Sequence, residues 1–342
     1  MSKKGFTLTS HLFCLLILLA ALLMCVCLGS VSIPLKDTLA VFRSALTGKA
    51  TEASTYRSIL LSIRLPRVLC VALCGASLSL SGAAMQGLLR NPLADGSTLG
   101  VSSGASLGAV LALAFGVTVP GLPYAGTTGM AMLFAFGSLM LILSLAYTLD
   151  RSLSTHSIIL IGVIFSMFAT SLISLVVSFS GDKIKSVTFW TMGSLAGSNY
   201  THVLLIAVAL LICGSVLLHL REELNAFAVG EENALHVGVA VKRVKLTVLI
   251  AVSVLIGVCV SIGGTIAFIG LVTPHAARML VGPNHRRLLP ASIYFGAIFL
   301  LLADLIARTL LRPIELSVGV VTSLVGAVAF VLLFYRTRKG AK

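Results

Sequence analysis

Charge is what this chain has least of. Charged residues make up 11% of its 342 positions, against about 25% in an ordinary soluble domain. Acids are the scarcer half, with 11 Asp and Glu beside 25 Lys and Arg. With 58% hydrophobic residues and a mean hydropathy of +1.07, a water-soluble globule is excluded and an integral membrane protein is implied. No attached soluble domain is expected, because the gaps between apolar runs reach only about thirty residues, short of the roughly 50 that a compact domain needs. A net charge of +14 would point to nucleic acid in a soluble protein. In a membrane protein, cytoplasmic loop bias and anionic headgroups account for it, so no nucleic-acid partner is implied and lipid is the expected surrounding.

Chemical motifs are missing too. The Gly48-Lys49 pair lacks the upstream glycine and the following Ser or Thr of a nucleotide-binding loop, so any ATP that drives this protein is hydrolysed on another chain. There is no HExxH and no clustered Asp/Glu/His set, hence no catalytic or metal site. The seven cysteines (14, 25, 27, 70, 74, 213 and 259) all lie inside apolar runs and read as small buried hydrophobes. Lys3 and Lys4 precede an apolar run from about His11 to Ile33, longer than the 7 to 15 residues of a signal-peptide core, and it reads as a first span.

What is present is a series of ten apolar runs, at about 11–33, 67–89, 96–118, 127–149, 157–180, 201–220, 246–268, 269–281, 288–307 and 314–335. Most approach the roughly 20 residues a bilayer core requires; the eighth is short and contains Pro274. The expected fold is therefore an all-α integral membrane protein of about ten transmembrane helices, one domain over 1–342. An even count puts both termini on one side, and Lys3, Lys4, Arg336, Arg338, Lys339 and Lys342 favour the cytoplasm for both. That orientation leaves fifteen Lys and Arg inside and ten outside, six of them from Lys36 to Arg67. Either the orientation is reversed, or the outer face is basic for a reason such as docking an acidic partner.

The stretch from Arg64 to Gly108 reads as one crossing, a reversal at Arg90-Asn91-Pro92, and the start of the next crossing. Gly96, Gly100, Gly104 and Gly108 recur every fourth place, which on a helix forms one face for close packing. Between the sixth and seventh spans, residues 221–245 hold four of the eleven acids, with Leu224, Phe227, Val229, Ala234, Leu235 and Val237 and glycine breaks at Gly230 and Gly238. That pattern predicts two short amphipathic helices meeting at a turn, in a connection far longer than the usual 2 to 8 residues. A helix lying on the membrane surface is the alternative, which the acids disfavour. In the ninth span Asp304 and Arg308 stand four apart, at pairing distance on a helix. A proton relay through Asp304 is the other reading, though a relay needs several linked groups. Pro274 should break or kink its span, with Arg278 beyond it facing water.

The chain resembles the FecCD-type permeases, the membrane subunits of ABC importers for ferric siderophores, haem and cobalamin. The resemblance rests on RLPR (64–67), SGAAMQGLLRNPLAD (81–95), LGVSSGASLG (99–108), LST (153–155), FWTMGSL (189–195), LNAFAVGEENALHVGV (224–239), GGTIAFIGLVTPHAARMLVGPNHRRLLP (263–290), ADLIAR (303–308) and ELSVGVVTSLVGA (315–327). It implies the large-substrate (type II) class of importer in a bacterial or archaeal inner membrane. It also implies a permease dimer of two copies or of sister subunits, two ATP-binding subunits carrying ATP and Mg, an extracytoplasmic substrate-binding protein, and no cofactor on this chain. By motif, Arg64, Arg67 and Arg308 would dock the binding protein. Ala226, Phe227, Val229, Gly230, Glu231, Glu232, Ala234, Leu235 and Gly238 would couple to the ATPase, within the cytoplasmic segment 221–245, and Ser154 and Thr155 would form the cytoplasmic gate. Gly96 and Val328 stand where the family usually has proline. A ferric siderophore is the expected cargo, with haem or cobalamin as alternatives. The rival classes are a proton-coupled secondary transporter using Asp304, and a permease for bare metal ions, which would need more His and carboxylates in its spans.

Overall fold

The computed structural model describes residues 7–29, 31–47, 54–95, 99–121, 125–151 and 154–339; Lys3, Lys4, Gly96 and Leu153 lie outside them. The chain runs as α1 (Leu8–Cys27), α2 (Leu35–Thr47), α3 (Ser54–Ser58), a π-helical stretch (Ile59–Arg64) leading unbroken into α4 (Leu65–Leu88), α5 (Val101–Phe115), α6 (Ala125–Leu149), α7 (Thr155–Ser178), α8 (Ile184–Thr191), α9 (Tyr200–His219), α10 (Arg221–Val229), α11 (Glu231–His236), α12 (Val241–Gly263), α13 (Ile269–Val281), α14 (His285–Thr309) and α15 (Val318–Lys339). Among the described residues, seven helices are long and apolar enough to cross a membrane: α1, the continuous helix Tyr56–Leu88, α6, α7, α9, α12 and α14. The apolar helices of α5, α13 and α15 are shorter, and with them the expected ten crossings are present. The short eighth run is α13, helical through Pro274.

The centre of the bundle is α4, which packs on α14, α13, α12 and α9. Its apolar window is 78% buried and that of α12 is 72%, whereas α7 is 22% and α1 17% buried. Without a hydrophobic drive between helices in lipid, such a centre forms by close backbone approach at small residues. Gly75 lies against Gly296 of α14, and Gly82 against Gly270 of α13, so near that a Cβ on Gly75 or Gly82 would overlap the opposing carbonyl oxygen.

The glycine series after Arg90 is different from the single face its spacing predicts. Gly104 and Gly108 do pack on α6, against Ser138 and Met130. Gly100 instead precedes the helix, with φ +73 in the left-handed region, as its N-terminal cap. A spacing of four does not distinguish a helix interior from the residue that starts the helix, and only glycine takes that backbone without strain. The third span is accordingly shorter than the expected 96–118.

Two polar features hold irregular backbone inside the bundle. Pro274 has no N–H to give the carbonyl four residues back, and that carbonyl, Gly270 O, accepts instead from Gln86 Nε2 of α4 at 3.2 Å. The same amide donates to Leu271 O at 3.3 Å, and Arg278 Nη2 donates to Gln86 Oε1 at 2.9 Å. Between α12 and α13 the chain is unwound from Gly264 to Phe268, where the sequence reads as adjoining spans. Non-helical backbone at such depth survives only where protein covers it. Here the cover is the segment after α8: Ser194 N donates to Gly263 O at 2.8 Å, and Thr265 Oγ1 donates to Thr191 O.

Candidate functional site

Three groups of candidate residues fall at three places. At the end of the bundle where α1 and α14 finish and α4 begins, the arginines are buried: Arg64 is 5%, Arg67 7% and Arg308 3% exposed. Arg64 Nη1 donates to Val26 O and Cys27 O at 2.9 and 3.0 Å, and Arg308 Nη2 to Cys25 O at 3.2 Å. These are last-turn carbonyls of α1, unpaired within the helix and at its negative end, where cations are stabilising. Asp304 stands 2.9 Å from Arg67 and, one turn away on α14, 2.9 Å from Arg308; Arg67 also meets Glu315 at 2.8 Å. The three arginines expected to dock a partner are thus buried within this chain, where their guanidinium groups join α1, α4, α14 and the α14–α15 turn. Lys36, Arg43, Arg57, Lys183, Lys185 and Arg312 are exposed cations of this end among the described residues. Asp304 serves as common counter-ion to two guanidinium groups, which do not release protons, so the cluster lacks the linked carriers of a relay.

At the opposite end, 221–245 forms the two predicted helices. Gly230, at φ +137, separates α10 from α11, and Gly238 is at φ +86. Asn225 ties α10 to the start of α14, its Oδ1 accepting from His285 N at 2.8 Å, and Glu222 pairs with Arg286. That hydrogen bond holds the Glu222 carboxyl below the usual carboxylate range. Leu224, Phe227 and Ala234 are fully buried and Gly230 is buried too: they fix the pair of helices to the bundle. Ala226 is half-buried and Glu232 and Gly238 are exposed. Val229 at 67%, Leu235 at 58% and Val237 at 72% exposure are apolar groups offered outward.

The Ser154–Thr155 turn stands at the same end. Ser154 caps α7, its Oγ accepting from Ser157 N at 3.3 Å. Asp150 Oδ2 accepts from Ser154 N at 3.1 Å and from Ser157 Oγ at 3.2 Å; nothing in its sequence setting singles Asp150 out. Thr155 Oγ1 donates to Glu231 Oε1 at 3.1 Å, and Lys245 Nζ donates to Glu231 Oε2 at 2.7 Å. The first residue of α7, the first residue of α11 and the fifth residue of α12 therefore meet on one carboxylate.

Between these ends lies a cavity of about 340 Å³ bounded by α5, α7, α12 and the unwound segment before α13. Ser102, Ser103, Ser106, Thr170, Thr191 and Thr265 line it, with Asp95 the one carboxyl group and no Lys, Arg or His among the lining residues. Phe268 forms part of its wall in a left-handed backbone, φ +68, unusual for an aromatic residue and found where surrounding structure enforces it. Gly326 of α15 makes the room, since a Cβ there would overlap that of Phe268.

The chain is 41% identical over 317 residues to an uncharacterized ABC transporter permease protein, YvrB, of Bacillus subtilis, covering 92% of this chain and 90% of the relative. It is 37% identical to the molybdate import system permease protein MolB of Haemophilus influenzae, covering 83% of each. Other relatives are named for cobalamin, iron chelatin and hemin transport. A solved structure assigned to the metal-chelate type of ABC transporter, in an inward-facing conformation, superposes with a TM-score of 0.83 at 33% identity, covering 95% of this chain and 98% of that one. Permeases of this kind are transport subunits without enzymatic activity of their own, ATP being hydrolysed on a separate subunit. The FecCD transport family model matches residues 16–336, and the chain, a multi-pass ABC importer permease, belongs to that family.

Proposed function

We propose that two copies of this chain, or this chain and a sister, form the passage of an importer for metal chelates, ferric siderophores first and haem or cobalamin next. The observation that supports this cargo is the wall of the cavity: six hydroxyl side chains and one carboxyl, with no cationic side chain. Hydroxyls both donate and accept and suit the mixed polar and apolar surface of a chelate. A bare oxyanion such as molybdate gains most from positive charge, which this wall does not supply.

In this reading the end bearing α10 and α11 and both chain termini face the cytoplasm. Two ATPase subunits, holding ATP and Mg, seat on Val229, Glu232, Leu235 and Val237. An extracytoplasmic binding protein delivers cargo at the opposite end, where Lys36, Arg43, Arg57 and Arg312 offer exposed charge to an acidic partner. Ser154 and Thr155 stand at the inner gate.

The test is uptake into proteoliposomes of the assembled importer, offered in turn a ferric hydroxamate, a ferric catecholate, haemin, cyanocobalamin and molybdate. ATP-dependent uptake of a ferric chelate and not of molybdate is expected. Molybdate uptake alone would overturn the cargo assignment, and accumulation by this chain without an ATPase would overturn the importer.

A further inference from the structure

Glu231 makes contacts of unequal strength to helices of unequal burial. Its Oε2 takes the Lys245 ammonium at 2.7 Å, a charge-assisted bond, the stronger kind. Lys245 is 1% exposed and sits on α12, which packs against α4, α5, α6 and α9 and belongs to the rigid interior. Its Oε1 takes one neutral hydroxyl, that of Thr155, at 3.1 Å. Thr155 begins α7, whose packing is on α5 and α6 and whose apolar window is only 22% buried. A helix with few buried contacts is the part of a bundle that moves at least cost. The carboxylate itself belongs to α11, next to the Gly230 hinge.

Building on the function proposed above, we propose that Glu231 is the positioning residue that passes motion of the coupling helices to α7. The Lys245 pair is the fixed side of the hold, and the Thr155 hydrogen bond is the side that lets go. Displacement of α11 about Gly230 draws the carboxylate away from Thr155 before it parts from Lys245, and the first turn of α7, next to the gate, is freed.

Hydrogen–deuterium exchange of the full chain in lipid nanodiscs tests the hold. Thr155→Val should speed exchange in the first turn of α7 roughly tenfold while α11 keeps its protection. Thr155→Ser, which keeps the hydroxyl, should restore the wild-type rate. Glu231→Ala should loosen both α7 and α11, and adding Thr155→Val to it should alter α7 by less than about twofold, since the contact is already gone. Wild-type exchange at α7 in Glu231→Ala, or loss of protection with Thr155→Ser equal to that with Thr155→Val, would overturn the hold. Transmission is read in the assembled importer with and without a non-hydrolysable ATP analogue. The analogue should change α7 exchange in the wild type and leave it unchanged in Thr155→Val. An unaltered response in Thr155→Val would remove the transmitting role, whereas a wild-type assembly insensitive to the analogue would count against the importer reading and leave the hold standing on the first experiment.

Discussion

Gly75 of α4 and Gly296 of α14 meet backbone to backbone, each filling the space where the other's Cβ would be. The approach brings the middle of α14 onto the most buried helix in the bundle, and everything carried on the two ends of α14 is placed by it. Gly75→Ala should therefore cost at least the roughly 1 to 3 kcal/mol of an overpacked core, because the obstruction is backbone and cannot swing aside. Gly137→Ala, where an added Cβ meets nothing within 4 Å, is the control. Thermal unfolding in detergent, followed by size-exclusion chromatography, compares them; equal melting would show that the crossing tolerates a methyl group.

Asp304 is the shared anion of Arg67 and Arg308, and all three are buried. Asp304→Asn should destabilise the fold by about 3 to 5 kcal/mol, the cost of breaking a buried pair from one side. Glu315→Gln, at a side chain 34% exposed, should cost no more than about 1 kcal/mol. If Asp304→Asn melted like the wild type but lost pH-driven transport, a proton-carrying role would return in place of the structural one.

Gln86 answers the carbonyl that Pro274 leaves open. Gln86→Leu removes the donor that serves Gly270 O and leaves that carbonyl unpaired, with an expected loss of about 1 to 3 kcal/mol. Adding Pro274→Ala gives Gly270 O a helical N–H again and should recover part of that loss. A double variant no more stable than Gln86→Leu would mean that the two residues act independently.

Glu222 and Arg286 join α10 to α14, and the Glu222 carboxyl is held below its usual range by that hydrogen bond. A depressed carboxylate adds stability that is fully present above its unfolded pKa, about 4.3, and is lost as pH falls through the lowered folded value. Both side chains are half exposed, so the effect is local and small. Amide exchange at the start of α14 should be level, after correction for intrinsic rate, from pH 7 to 5 and should rise only below about pH 4. In Glu222→Gln that acid-dependent rise should vanish.

The ten crossings were legible because a bilayer demands long apolar runs whatever they pack against, and the bend between α10 and α11 because Gly230 interrupts two short amphipathic patterns. Direction was not legible. Arg64 and Arg308 at the ends of apolar runs read equally well as cations reaching water or as cations turned back onto α1 carbonyls, and only the position of α1 decides. The period-four glycines carried no mark that Gly100 starts the helix instead of lying within it. Gln86 left a signal that could have been read, since a proline inside a span creates a carbonyl in need of a donor. Glu231 stood among the candidate coupling residues, but its bonds to Thr155 and Lys245 join positions 76 and 14 residues away and depend on the fold.

Phe268 owes its place in the cavity wall to the bare backbone of Gly326 behind it. The width of the cavity is thus set from outside: a single methyl group on α15 would press the aromatic ring inward and narrow it. The room inside can be altered at a position that does not line it.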